Sequence, residues 1–197
     1  AEYKDLFWNK LTANVGAYIN YNSSFGWQVY PGIDAAYQLN SNWKIAGNIG
    51  SGQRIPSFTD LYLNQKPGNV GNPYLQPENA WQYDAHLHYK KGNFKAKVGY
   101  FYRDVNDFID WVRDSITVPY SPMNFGRNQI QGIYVQLNQS FVWKSVHKFA
   151  YSVSYQYLNP TISQKDKFSK YVLESLRHQL ILGINYGYKN LTIGLNT

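Results

Sequence analysis

The sequence contains no cysteine, which removes disulfides, thiolate metal sites and thiol nucleophiles. It is also short of charge. Asp, Glu, Lys and Arg make up 16% of 197 residues, against about 25% in soluble globular domains. No stretch approaches the roughly 20 consecutive apolar positions of a membrane-spanning helix. That excludes a helical membrane protein but not a membrane barrel, whose strands are apolar on one face only. Catalytic signatures are missing too: there is no Gly-x-Ser-x-Gly, no His-Glu-x-x-His and no phosphate-cradling glycine loop. The residues therefore point to no enzyme, no catalytic group, no metal and no cofactor.

What the chain has in quantity is aromatic and uncharged polar. Tyr, Phe and Trp reach 18%, with 19 tyrosines alone. Mean hydropathy is −0.50 despite 44% hydrophobic residues, because Asn, Gln and Ser fill much of the remainder. The net charge of +7 suits anionic lipid, lipopolysaccharide or nucleic acid. Lys and Arg are spread along the sequence without a dense cluster, which speaks against nucleic acid.

Alternation with a period of two recurs almost everywhere. Trp81, Tyr83, Ala85, Leu87 and Tyr89 share one strand face, while Gln82, Asp84, His86 and His88 share the other. Phe94, Ala96, Val98, Tyr100 and Tyr102 oppose Lys95, Lys97 and Arg103. Phe149, Tyr151, Val153, Tyr155 and Tyr157 oppose Ala150, Ser152, Ser154 and Gln156. One departure is Ile181, on the polar face. About nine strands are predicted, near 11–21, 27–39, 43–51, 78–90, 93–104, 126–141, 146–158, 176–187 and 190–196. Most match the roughly 9–11 residues of a tilted membrane strand, longer than the 5–6 typical of soluble sheets.

The connections alternate in length. Short turns at Asn40-Ser41-Asn42, Lys90-Lys91-Gly92, Lys144-Ser145 and Tyr188-Lys189 separate long polar loops near 52–77, 105–125 and 159–175. Bacterial barrels alternate tight periplasmic turns with extended outer loops in this way; the short link at Asn22 to Gly26 is an exception. Trp27, Tyr30, Trp43, Tyr89, Tyr102, Trp143 and Tyr157 fall near strand ends, as interfacial aromatics do. A soluble antiparallel sandwich would also alternate. Strand length, loop asymmetry and a polar face of Gln, Asn, Ser and Gly rather than Lys and Glu weigh against it.

Residues 50–78 carry a more specific signal. Arg54, Pro56, Ser57, Phe58, Leu61 and Tyr62 are followed by Gly71, Asn72, Pro73, Leu75, Pro77 and Glu78. This pair of linked motifs resembles the barrel signature of TonB-dependent receptors, Arg-x-Pro-Ser-Phe-x-x-Leu-Tyr and then Gly-Asn-Pro-x-Leu-x-Pro-Glu. Similar matches follow in order: Tyr100 to Ile109 resembles a strand entering an outer loop, Asn128 to Ile133 the entry to the next strand, and Leu176-Arg177-His178 the approach to the last hairpins. The prolines punctuate strands and stiffen the loop, and Glu78 is read as reopening strand pairing.

The resemblance implies an all-β, antiparallel up-and-down transmembrane barrel in the bacterial outer membrane. Residues 1–197 would be the C-terminal portion of a wall of about 22 strands, with the plug domain and final strands absent. It implies energy-dependent uptake of a scarce small-molecule nutrient such as a ferric siderophore or cobalamin. TonB would be a partner through the plug, and lipopolysaccharide a neighbour. Haem is disfavoured, because haem receptors of this family tend to carry a histidine between the motif halves and residues 55–72 contain none. A passive porin or adhesin barrel and a soluble β-sandwich binding module are the competing readings.

Candidate ligand-binding residues are the aromatic and polar side chains of the long loops: Tyr62, Asn64, Lys66, Asn69, Tyr74, Trp111, Arg113, Tyr120 and Arg127. His86 and His88 have a spacing that suits a metal, but are read as polar lumen residues. Asp104, Asn106, Asp107 and Asp110 faintly resemble a calcium loop. With no glycine at the sharp turn, they are read as a solvated outer loop.

Overall fold

The computed structural model describes residues 2–7, 10–162, 168–170 and 176–197. Along the chain run β1 (Glu2–Phe7), β2 (Leu11–Asn22), β3 (Gly26–Gln38), β4 (Trp43–Arg54), α1 (Phe58–Tyr62), β5 (Asn64–Gln65), β6 (Asn69–Val70) and β7 (Glu78–Lys91). There follow β8 (Phe94–Asn106), β9 (Ile109–Arg113), β10 (Ser121–Asn124), β11 (Asn128–Trp143), β12 (His147–Ile162), β13 (Phe168–Ser169), β14 (His178–Tyr188) and β15 (Leu191–Asn196). Ten of the strands form one antiparallel meander in the order β1-β2-β3-β4-β7-β8-β11-β12-β14-β15. Among the described residues the sheet is open, its edges being β1 and β15. All nine expected strands are present, most within two or three residues of their expected ends.

Several strands run further than their alternation suggested. β4 continues to Arg54, and β11 and β12 each span 16 residues, beyond what a tilted strand needs to cross the hydrocarbon. Turns at the short end use left-handed backbone at Gly92, Lys144, Ser145 and Lys189, which two-residue hairpins require. Pro31 cannot donate a ladder bond, and β3 and β4 stay paired only as far as Gly32 and Gly50.

Register shows why one face is apolar. Directly opposed residues of an antiparallel pair lie on the same face. Following the partners across the sheet gives one continuous row: Leu11, Tyr37, Ile45, Leu87, Val98, Val135, Tyr155 and Leu180. Trp81, Tyr83 and Val98, on this same face, remain 41%, 40% and 49% exposed; among the described residues no second sheet or helix covers them. The opposite face carries Asn14, Asp34, Asn48 and Asp84 in one row. Ile181, opposite Ser154, shares that polar face.

Few apolar side chains of the wall itself are fully buried. The buried apolar residues are instead Leu75, Val105, Ile109, Trp111, Val112 and Phe125, all but Val105 in the loops at the long end. A ten-stranded sheet whose core lies in its loops is unusual for a water-soluble fold. It follows if hydrocarbon covers one face of the wall and a lumen lies on the other.

Two expectations need correction. The stretch 105–125 is not simply a polar loop: β9 pairs with β10 and with β13, and Ile109 to Val112 are buried. Asp110 is accordingly not solvated; it is 2% exposed and accepts a hydrogen bond from Ser169. The expected loop 159–175 is partly strand, since β12 reaches Ile162 and β13 spans Phe168–Ser169. Its positions 163–167 and 171–175 fall outside the described residues.

Candidate functional site

The loops at the long end are organised by one ionic clamp. β4 ends at Arg54, Pro56 breaks the ladder, and Ser57 caps α1 with a capping box whose reciprocal partner is Asp60. Arg54 then donates to two carboxylates, Asp60 at 3.2 Å and Glu78 at 2.9 Å. Both acids are buried, at 6% and 5% exposure. Glu78 also accepts the Ile109 N–H at 2.7 Å, and Asp60 accepts the Trp111 indole N–H at 3.0 Å. One arginine and two acids thus tie the end of β4, the start of β7, α1 and β9 together. Glu78 does more than reopen strand pairing: it is the joint between the motif and the next loop.

The motif glycine sits at the tightest contact of this assembly. Gly71 donates to the Leu63 carbonyl at 2.7 Å. A Cβ there would lie 2.8 Å from backbone atoms of Leu61 and Leu63, so only glycine fits without moving the chain. Asn72 adds a bond from its side chain to the Pro122 carbonyl at 3.1 Å, joining the motif to β10.

Burial by itself would push the Asp60 carboxyl up, but the Ser57 N–H and hydroxyl, the Trp111 indole and the Arg54 charge outweigh it. They hold it below the usual aspartate value of 3.8. A carboxyl lowered on folding stabilises the folded state above its unfolded pKa and loses that contribution as pH falls through the folded value. The loop assembly is therefore expected to keep its order from neutral pH down to about 4 and to loosen below 3.8. Hydrogen exchange at residues 57–62 and 109–111, followed through that range with the wall strands as internal control, measures it.

Beside the clamp is a hollow of about 730 Å³ lined by Arg54, Asp60, Gln65, Asn69, Trp111 and Lys170 among others, within the size range of small-molecule sites. Of the nine expected ligand residues, four come together here. Asn69 bridges to Tyr120. Arg113 lies over the Tyr120 ring at 4.5 Å, and Trp111 lines the hollow. Lys170 joins them, donating to Asn69 at 3.2 Å and standing 5.8 and 5.9 Å from the Trp111 and Tyr120 rings. Trp111 is itself buried, so it presents a wall and not a free ring.

The other five are dispersed. Tyr62 meets Phe58 at 4.9 Å with the rings tilted, both exposed on α1. Asn64 pairs with Val70 in a two-residue hairpin whose turn carries exposed Lys66. Tyr74 is almost wholly exposed. Arg127 is drawn away into an ion pair with Asp104 at the top of the wall. Sequence reasoning did not single out Arg54, Asp60 or Lys170 as site residues. The signal for the first two was one arginine and two acids within the linked motif pair; for Lys170 there was none.

In the lumen, His86 Nδ1 meets Asp84 at 2.7 Å, and the Tyr134 hydroxyl donates to the same carboxylate at 2.9 Å. That places His86 in a polar wall network.

Comparison with known proteins fits this geometry. The family described as TonB dependent receptor-like, beta-barrel matches residues 5–196. The vitamin B12 transporter BtuB of Photobacterium profundum is 29% identical over 153 residues, covering 74% of this chain and 23% of that protein. The chain thus spans about a quarter of the length of that relative. The siderophore receptor PirA of Acinetobacter baumannii superposes with a TM-score of 0.76 at 15% identity, over 99% of this chain and 32% of the other. The copper transporter OprC gives 0.66 at 15%, over 98% and 33%. At such identities the two structures speak for the fold alone. The motif pair, the ten-stranded meander and the family match over nearly the whole length agree: this chain belongs to the TonB-dependent receptor β-barrel family, a family of bacterial outer-membrane proteins.

Proposed function

We propose that the chain forms wall and outer mouth of a receptor that imports a scarce, bulky nutrient across the outer membrane, and that it is not an enzyme. The ligand class is a ferric siderophore or cobalamin. The energy comes from TonB, acting through a plug domain enclosed by the barrel. The observation that carries this reading is the clamp of Arg54, Asp60 and Glu78, which holds a ring of short loop elements around a hollow at the mouth. A passive pore has no need of such an ordered loop set. Lys170 and Arg113 over aromatic rings suit a ligand that combines anionic oxygens with flat rings, and Asn69 supplies a polar anchor. Kinship with a cobalamin transporter supports the cobalamin alternative.

The test is growth of a strain lacking the full-length receptor on single sources of iron or of cobalamin. Growth on one source is expected to be lost, to be restored by the wild-type gene, and to depend on TonB. In the restored strain Lys170→Glu is expected to raise the half-saturating ligand concentration about ten-fold, the equivalent of 1.4 kcal/mol. Unchanged growth on every source, together with lost diffusion of small solutes, would establish the porin reading instead.

A further inference from the structure

The lysines that are scattered in sequence are gathered by the fold at one rim. The short turns and the strand ends beside them carry Lys10, Lys90, Lys91, Lys144 and Lys189, and the described turn positions 10, 39–42, 90–93, 144–146 and 189–190 contain no Asp or Glu. The other end of the wall mixes signs, as the clamp of Arg54, Asp60 and Glu78 shows. Among the described residues none of the five lysines is in an ion pair.

Their placement on the membrane side is specific. Lys144 Nζ stands 4.6 Å from the centre of the Trp143 ring, and Lys189 Nζ 5.4 Å from that of Tyr188. Both rings lie on the apolar outer face, in the row Trp143, His147, Tyr188 and Leu191. Lys91 is opposite Phe94 on that face as well. The rings below them form a collar: Trp43 meets Tyr89 at 4.6 Å, and Phe149 meets both Phe141 and Tyr186 at 5.0 Å. Aromatic collars settle at headgroup level, and lysine stems extend from apolar surface to place the ammonium beyond it. Three ammonium groups are thereby held at the depth of lipid phosphates, with no carboxylate among them.

We infer that this rim is a docking surface for anionic phospholipid headgroups of the leaflet that faces the short turns, with Lys91, Lys144 and Lys189 as the contacts. The inference does not depend on which nutrient the receptor carries. It makes the charge of the rim an anchor that sets the barrel's depth and tilt, opposite the end where ligand enters.

The full-length receptor in phosphatidylethanolamine bilayers, probed with spin-labelled phosphatidylglycerol and spin-labelled phosphatidylcholine, tests it. The wild type is expected to hold phosphatidylglycerol in preference, with the preference shrinking as salt rises. Converting Lys91, Lys144 and Lys189 together to glutamine is expected to lower that preference about five-fold for each lysine a headgroup touches. Lys97→Gln, which removes a lysine on the lumen face, should leave it intact. Equal retention of the two lipids by the wild type, or a preference insensitive to salt, would overturn the inference even if the triple variant failed to assemble. So would an acidic periplasmic protein bound at the rim in place of lipid.

Discussion

Arg54→Met is expected to disorganise the mouth while leaving the wall assembled. The substitution keeps an unbranched apolar stem but strands two buried carboxylates. Leaving a buried charge without its partner costs about 3–5 kcal/mol in a fully enclosed pair. The Arg54 side chain is 47% exposed, so water screens part of the loss, and about 1–3 kcal/mol is the better expectation. That is enough to release α1 and β9 locally, because little besides the clamp joins them: the indole bond from Trp111 and the Ile109 N–H bond both end on the same two acids. Limited proteolysis is expected to cut within 55–77 or 107–125 in the variant and not in the wild type. Ligand uptake falls, and the heat-modifiable mobility of the folded barrel persists. Conversion of Asp60 to asparagine in the same background should restore part of the protection, since it removes one of the two stranded charges. Unaltered cleavage in Arg54→Met would mean that the loops are held by apolar packing around Leu75 and Phe125 alone.

The wall was legible in the sequence because its pattern is local. Trp81 to Tyr89 alternate at period two, and that period by itself places Tyr83 and Leu87 on one face and Asp84 and His86 on the other. β1 was missed for a physical reason. Its outward positions include Tyr3 and Asp5, and an acid on the apolar face, held by the Tyr3 hydroxyl at 2.8 Å, interrupts the alternation. β9 was missed because Ile109 to Val112 are buried on both faces, so no period of two survives. Their cover comes from loops distant in sequence. Helix α1 had a signal, the Ser57–Asp60 capping box, but five residues are too few for a helical period to register. At the site, aromatic and polar loop residues were the right types. Which of them converge was decided by non-local pairings, Asn69 with Tyr120 and Lys170 with Trp111, that no spacing along the chain encodes.

The lipid-facing assignment can be tested by two adjacent residues on opposite faces of β12. Val153 lies between Leu137 and Leu182, in the apolar row that continues through the hairpins; Ser154 lies between Gln136 and Ile181 on the lumen side. Both are near the middle of a strand that crosses the hydrocarbon. Val153→Lys is expected to cost about 2–4 kcal/mol of folding stability in a bilayer, the price of a lysine near the midplane of a membrane barrel. Ser154→Lys is expected to change it by no more than about 0.5 kcal/mol, because its ammonium enters a polar, water-accessible wall. Denaturant-driven unfolding of the full-length receptor in phospholipid vesicles, or assembly yield in cells, measures both. The pair controls for strand position and added charge, and the loss of valine's strand preference is worth at most about 1 kcal/mol, so a larger difference reports the medium on each side. A soluble sheet with water on its Val153 face would show little penalty there. A sandwich with a protein core behind it would instead bury Val153, but among the described residues the cross-strand row from Leu11 to Leu180 has nothing packed over it. A large penalty at 153 alone, on a face with no protein core over it, is the result a membrane wall produces.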